Sequence, residues 1–266
     1  MPIIRVPRRS SLPGVRIGAL RLIIPLLPVL HLLAPSTGRG QTGAASSRET
    51  AQRATPQRLD EGSFTILLRG QRVGREQFSV QQLTGADGAV FELRAESAQG
   101  DRRTAVRLEA DSAGTPVRYS LEERQGAEQT LRLGGQRIRG RFTTLARSVN
   151  GEAAREYLLR PGALVVEDEG LVQHALLVRM PLRVPGEAAT RPSLTPAANS
   201  QGAVHIVLEA TADTVTIAGA RRIAQRWRVV TASSEIRMVW ADPEGRLLRI
   251  TIPSRGLEAR RDDVPR

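Results

Sequence analysis

Two histidines, His174 and His205, lie beyond residue 40. Glu167, Asp168 and Glu169 stand shortly before His174, a grouping whose carboxylates and imidazole are of the types that ligate metal ions. Neither histidine has a second histidine at ligand spacing. The three acids therefore read as a solvated turn and His174 as a half-buried core residue, with no metal or other cofactor expected. Asp111-Ser112-Ala113-Gly114 has the outline of an aspartic-protease loop, a chemistry that needs two carboxylates sharing one proton. The required D-[ST]-G tripeptide is absent, and the four residues read as a turn. There is no G-x-S-x-G elbow, no P-loop and no G-x-G-x-x-G after a strand. With no paired nucleophile and base, the chain reads as a non-enzyme, and a hydrolase ranks last among its possible functions. Trp227 and Trp240 fall in adjacent C-terminal strands. Together with Leu176 they are the candidate lining of an apolar cleft, although large aromatics more often simply fill a core.

The elements that must position these residues are strands. In Phe91-Glu92-Leu93-Arg94-Ala95-Glu96 every second residue is charged. Val106, Leu108 and Ala110 alternate with Arg107 and Glu109. Ile236, Met238 and Trp240 alternate with Glu235 and Arg237, and Leu248, Ile250 and Ile252 with Arg249 and Thr251. Strand side chains point to opposite faces in turn, so each run has one buried and one wet face. The wet face mixes Arg and Glu, which can pair across strands for a modest gain each. Turn residues at 85–88, 111–114, 134–135 and 242–245 separate the runs closely enough to predict antiparallel hairpins. Roughly a dozen strands are predicted. The expected fold is all-β with minor α: a single large curved antiparallel sheet, a half-barrel, with one short helix or loop as plug. Residues 171–179 suit a short helix as well as a buried strand. Residues 181–202, with four prolines, read as a long surface loop. Asp111-x-x-Gly114-x-x-x-Arg118 echoes Asp242-x-x-Gly245-x-x-x-Arg249, which convergent hairpin chemistry explains.

Of the 266 residues, 39 are basic and 27 acidic, giving a net charge of +12, and none is Cys. Absence of Cys excludes disulfides, thiolate metal sites and Cys nucleophiles. Every basic residue is Arg, and six of them lie in residues 1–40, which hold no acid. The remaining arginines alternate with acids instead of forming a basic block, and aromatics make up only 3% of the chain. Nucleic-acid binding is therefore not expected. Residues 22–34, LIIPLLPVLHLLA, form an apolar run behind the arginine-rich start and ahead of small residues at 36–40, the plan of a secretory signal peptide. The run is shorter than the ~18 residues of a membrane span and holds two prolines, so no transmembrane span is expected after cleavage. The predicted organisation is a signal peptide over 1–40, a flexible linker over 41–60 and a single antiparallel β domain over 61–266. Its place is the periplasm or the extracellular space.

Four stretches resemble a group of uncharacterised exported bacterial proteins with a half-barrel like that of lipoprotein-localisation factors (LolA-like). They are Gly70-Gln71-Arg72-Val73-Gly74 with Phe78, Asp111-x-x-Gly114-x-Pro116-x-Arg118-Tyr119, the acids 167–169 leading into His174-Ala175-Leu176-Leu177, and Val239-Trp240-Ala241-Asp242 with Gly245–Ile250. The resemblance implies a curved sheet around an apolar concave face. It also implies a lipid, acyl chain or lipidated protein as partner, and no catalytic residues. The alternative is a structural or protein-interaction module of the envelope that binds no small molecule.

Overall fold

The described residues form fifteen strands. The computed structural model describes residues 56–85 and 88–265; the expected signal peptide and the linker up to residue 55 lie outside the described residues. The strands are β1 (Gln57–Leu68), β2 (Gln71–Gly85), β3 (Gly88–Gln99), β4 (Arg102–Asp111), β5 (Pro116–Gln125), β6 (Glu128–Ile138), β7 (Arg141–Ser148) and β8 (Gly151–Leu158). There follow β9 (Leu164–Val165), the single-turn helix α1 (His174–Leu177), β10 (Ala188–Thr195), β11 (Ser200–Ile217), β12 (Ala220–Val230), β13 (Ile236–Ala241), β14 (Leu247–Ile252) and β15 (Leu257–Arg261). All fifteen belong to one sheet, in the order β8-β7-β6-β5-β4-β3-β2-β1-β15-β14-β13-β12-β11-β10-β9. Two meanders thus run outward from the central pair of first and last strands. Neighbours are antiparallel except β9 and β10, which are parallel. No helix among the described residues is long and apolar enough to cross a membrane.

This order forces curvature. Strands β8 and β9 lie at opposite ends of the sheet, yet only residues 159–163 join them. Such a link reaches about 20 Å at full extension, whereas fifteen strands laid flat would span about 67 Å. The sheet must curl until its edges approach. Side chains bridge the gap: Tyr157 Oη donates to Asn199 Oδ1 at 3.1 Å, and Gln201 Nε2 donates to the Leu158 carbonyl at 3.3 Å.

Two expectations are corrected. Strand β1 begins at Gln57, inside the stretch read as linker, because Asp60 is buried and bonded to Leu247 N and Arg261. Residues 181–202 are not a continuous loop, since β10 pairs along its whole length with β11. Strand β9 covers only Ser193 and Leu194 on the outer side of β10, so Pro192 stands on an open edge, where a missing N–H is tolerated.

Inward-facing side chains of both meanders form one core with the segment that connects them. Leu164, Val165, Val166, Leu171, Val172, Ala175, Leu177 and Val178 of that segment are all buried. Helix α1 is entirely buried, and it is the plug predicted from residues 171–179. The outer face carries the predicted cross-strand ion pairs. Glu92 of β3 lies 2.7 Å from Arg107 of β4, and Glu258 of β15 lies 2.9 Å from Arg249 of β14. The two echoed turns are also structurally alike. Asp111 Oδ1 accepts from Thr115 N at 2.9 Å and Asp242 Oδ1 from Arg246 N at 2.8 Å, with Gly114 and Gly245 at φ 84° and 77°. A third turn, Thr231–Glu235, repeats the pattern with a hydroxyl as acceptor and Ser234 at φ 63°.

Candidate functional site

Strand pairing places Glu76 opposite Ser97, Ser97 opposite Thr104, and Thr104 opposite Glu123. These four make a polar row on the inner face of β2–β5. The next inward row, Phe78, Ala95, Val106 and Leu121, is apolar. Over both rows hangs the acidic turn 167–170 with Leu171 and Val172. Between sheet and turn lies a cavity of about 250 Å³.

The roof is held by two side chains. Gln173 acts as a piece of backbone: its Nε2 donates to the carbonyls of Glu167 at 2.7 Å and Gly170 at 3.0 Å, and its Oε1 accepts from Glu167 N at 2.9 Å. Arg237, fully buried, donates to the carbonyls of Glu167 at 3.0 Å and Asp168 at 3.1 Å. At the rim, Arg102 of β4 bridges Glu123 on the sheet and Glu169 on the roof.

Inside, Glu76 is 3% exposed and its Oε1 has no hydrogen-bond partner. Burial pushes this carboxyl up to about 8, against a smaller lowering by a bond from Val172 N–H. Glu167, whose Oε1 accepts from Ala197 N at 3.1 Å, is pushed up to about 7, again chiefly by burial. The Tyr119 hydroxyl is buried beside the Glu167 carboxylate, to which it donates. Burial, then the neighbouring Glu167 carboxylate, raises the phenol well above its ordinary value. The site therefore offers two carboxyls poised near neutrality and a phenol over an apolar floor.

The predicted trio Trp227, Trp240 and Leu176 does not converge. Trp227 pairs with Val239 and Trp240 with Arg226, so the two indoles point to opposite faces of the sheet. Trp227 is 1% exposed in the inner core. Trp240 lies in a small outer cluster with Val215, Ile217, Ala224 and Leu248, its Nε1 donating to Asp213 Oδ2 at 3.0 Å. Leu176 borders a separate cavity of about 240 Å³, beside Phe91 and Met180. The one-face cleft is thereby corrected: neighbouring strands do not place both indoles on one side.

His174 is fully buried, not half-buried. Its Nδ1–H donates to the Leu171 carbonyl at 2.8 Å, and its Nε2 has no partner. Burial, then Arg237, drives its pKa down to about 3, so the ring is neutral. His205 is exposed and bonded to Thr190 through Nδ1 at 2.8 Å. Among the described residues, no group of three or more His, Asp or Glu side chains is arranged to hold a metal ion. The acidic turn is partly interior, because Glu167 is 6% exposed. Sequence reading missed Glu76 and Tyr119. The signal for Glu76 was an acid in the parity of Phe78 and Val80, both core residues.

Fold and site define a class: a curled, barrel-like antiparallel sheet that keeps a polar-lined cavity beneath a segment of its own chain. No protein-family model and no curated protein matches the sequence. Among solved structures, the chain is similar to a beta-barrel-like protein of a domain of unknown function, DUF1849, from Brucella abortus. The identity is 10%, the match covers 80% of this chain and 97% of that chain, and the TM-score is 0.46.

Proposed function

We propose that this is an exported, non-enzymatic envelope protein that carries a small, partly apolar ligand in the cavity between β2–β5 and the roof at 167–173. The observation that carries the reading is a buried, unpartnered polar atom at the cavity, Glu76 Oε1. Buried polar groups in native proteins are nearly always bonded, so an unpaired carboxyl oxygen at a cavity suits a ligand that completes it. Export rests on the apolar run at 22–34 behind an arginine-rich start.

Size narrows the ligand. A cavity of ~150 Å³ takes benzene, and drug-sized pockets run from ~300 Å³ upward. The volume here, about 250 Å³, suits a compact molecule or the end of a longer chain. The resemblance to lipoprotein-localisation factors points toward an acyl chain or lipidated partner, which this cavity would hold by one end. An envelope module without a ligand would follow from a concave face wholly filled by residues 163–180, and a cavity remains at the polar end. Ser97 and Thr104 line it, and among the described residues neither hydroxyl is hydrogen-bonded to a histidine or carboxylate, so a hydrolase would lack its nucleophile–base pair.

Native mass spectrometry of protein purified from its own envelope should reveal a co-purified small molecule. Leu121→Arg, which fills the floor, should abolish uptake of a short-chain fluorescent amphiphile, while Arg107→Gln on the outer face should not. Wild-type protein that carries nothing and takes up no probe would leave the structural module as the better account.

A further inference from the structure

The charge around this cavity runs against the charge of the chain. The protein carries +12 overall. The cavity is lined by five carboxylate side chains, Glu76, Glu123, Glu167, Asp168 and Glu169, and one cationic side chain, Arg102. That arginine is engaged by Glu123 and Glu169. Asp168 lies 3.7 Å from Arg237, whose guanidinium also holds Glu235 at 2.9 Å. Glu76 and Glu167 are left over. Among the described residues neither makes an ion pair: Glu76 takes a backbone N–H from Val172, and Glu167 takes the Ala197 N–H and the Tyr119 hydroxyl.

A carboxylate out of water needs a proton or a cation. An anionic ligand here would meet five acids at close range. A neutral one would gain only the hydrogen bonds of an uncharged acid. A cation with an apolar body would satisfy Glu76 Oε1 and rest on Ala95, Val106 and Leu121. The floor is hydrocarbon, and the acids do not form a metal-ligand cluster among the described residues, so the cation is organic.

We infer that the cavity binds a small organic ammonium ion, its nitrogen at the Glu76 carboxyl and its hydrocarbon part on the apolar row of β3–β5. This deepens the ligand-binding reading above and rests on it.

The test uses one skeleton with three head groups: hexylamine, hexanol and hexanoate, titrated into the full mature protein by calorimetry at neutral pH. Hexylammonium should bind at least about tenfold more tightly than hexanol, the advantage of a charge-assisted over a neutral hydrogen bond. Hexanoate should not bind. Glu76→Gln should lower amine affinity by about tenfold and leave hexanol unchanged; Glu76→Asp, which withdraws the carboxyl by one methylene, should weaken the amine alone and is the second variant should the first not fold. Hexanol or hexanoate binding as tightly as the amine would overturn the ammonium assignment and leave the ligand cavity standing. Binding of none of the three, with no uptake of the fluorescent amphiphile, would sink both.

Discussion

Asp60 and Arg261, from the first strand and the last, form an ion pair of 2.8 Å with side chains 0% and 1% exposed. The pair sits at the centre of the strand order, where β1 meets β15. Arg261 also donates to the Leu247 carbonyl at 2.9 Å, and Asp60 accepts from Leu247 N at 2.9 Å. Burial nonetheless pushes the Asp60 carboxyl up, outweighing the pull of Arg261. The pair therefore costs much of what its attraction returns. Its value lies in holding the two meanders in register.

Removing one partner should consequently hurt more than removing both. Asp60→Asn or Arg261→Met leaves a buried group unpaired and should cost about 3–5 kcal/mol. The double change Asp60→Leu with Arg261→Met should recover a large part of that loss. Urea unfolding of the three variants checks this; strictly additive losses would show that the pair is not coupled.

Glu76 should make the protein less stable in alkali. Its carboxyl lies near 8 in the fold, against an ordinary 4.5. The folded state keeps a proton that the unfolded chain has released. The resulting stabilisation is complete below about pH 4.5 and is lost as the pH rises through about 8, by up to about 1.4 kcal/mol per pH unit. Glu167, at about 7, acts in the same direction over a shorter window. His174 opposes them: at about 3 against 6.5, its contribution is present above pH 6.5 and lost as the pH falls through 3. Above 6.5 only the carboxyl effects remain. Urea midpoints should fall between ~pH 6.5 and ~pH 8.5, and Glu76→Gln should shrink that fall. A variant with the wild-type pH slope would remove Glu76 from the account.

The neighbouring glycines of β6 should respond differently to alanine. A Cβ on Gly135 would lie 2.6 Å from the Phe142 ring on the inner face, whereas one on Gly134 meets nothing within 4 Å. Gly135→Ala should destabilise by about 1–3 kcal/mol through overpacking. Gly134→Ala should stay within about 0.5 kcal/mol of wild type. Thermal melts of the two variants are sufficient, and equal shifts would contradict the packing argument.

The β11–β12 hairpin turns through Ala218 at φ 48° and Gly219 at φ 79°. Two successive positive φ values make a type I′ turn, whose first position favours Asn. Ala218→Asn should raise stability by about 0.5–1 kcal/mol, since asparagine enters the left-handed region at lower cost than alanine. A lower melting temperature would refute it.

Much of the sheet was legible in the chain. Alternation as in Phe91–Glu96 reports two faces for each strand because side-chain direction is a local property of extended backbone. The same locality made the Asp111 and Asp242 turns readable, and it marked the arginines as partners for glutamates on the wet face. Proline misled at 188–195, because whether Pro192 breaks a strand depends on an edge that only the neighbouring β9 defines. The site was decided by tertiary structure. Glu76 shares the parity of Phe78 and Val80, but its raised carboxyl follows from burial under the cavity's roof, a segment nearly a hundred residues along the chain, whose Val172 N–H only partly offsets it. Trp227 and Trp240 looked like partners in adjacent strands; register set them back to back. Periodicity tells which residues share a face of one strand. Which strands adjoin, and what covers them, follows from how the whole sheet curls, and burial of the carboxyls follows from that.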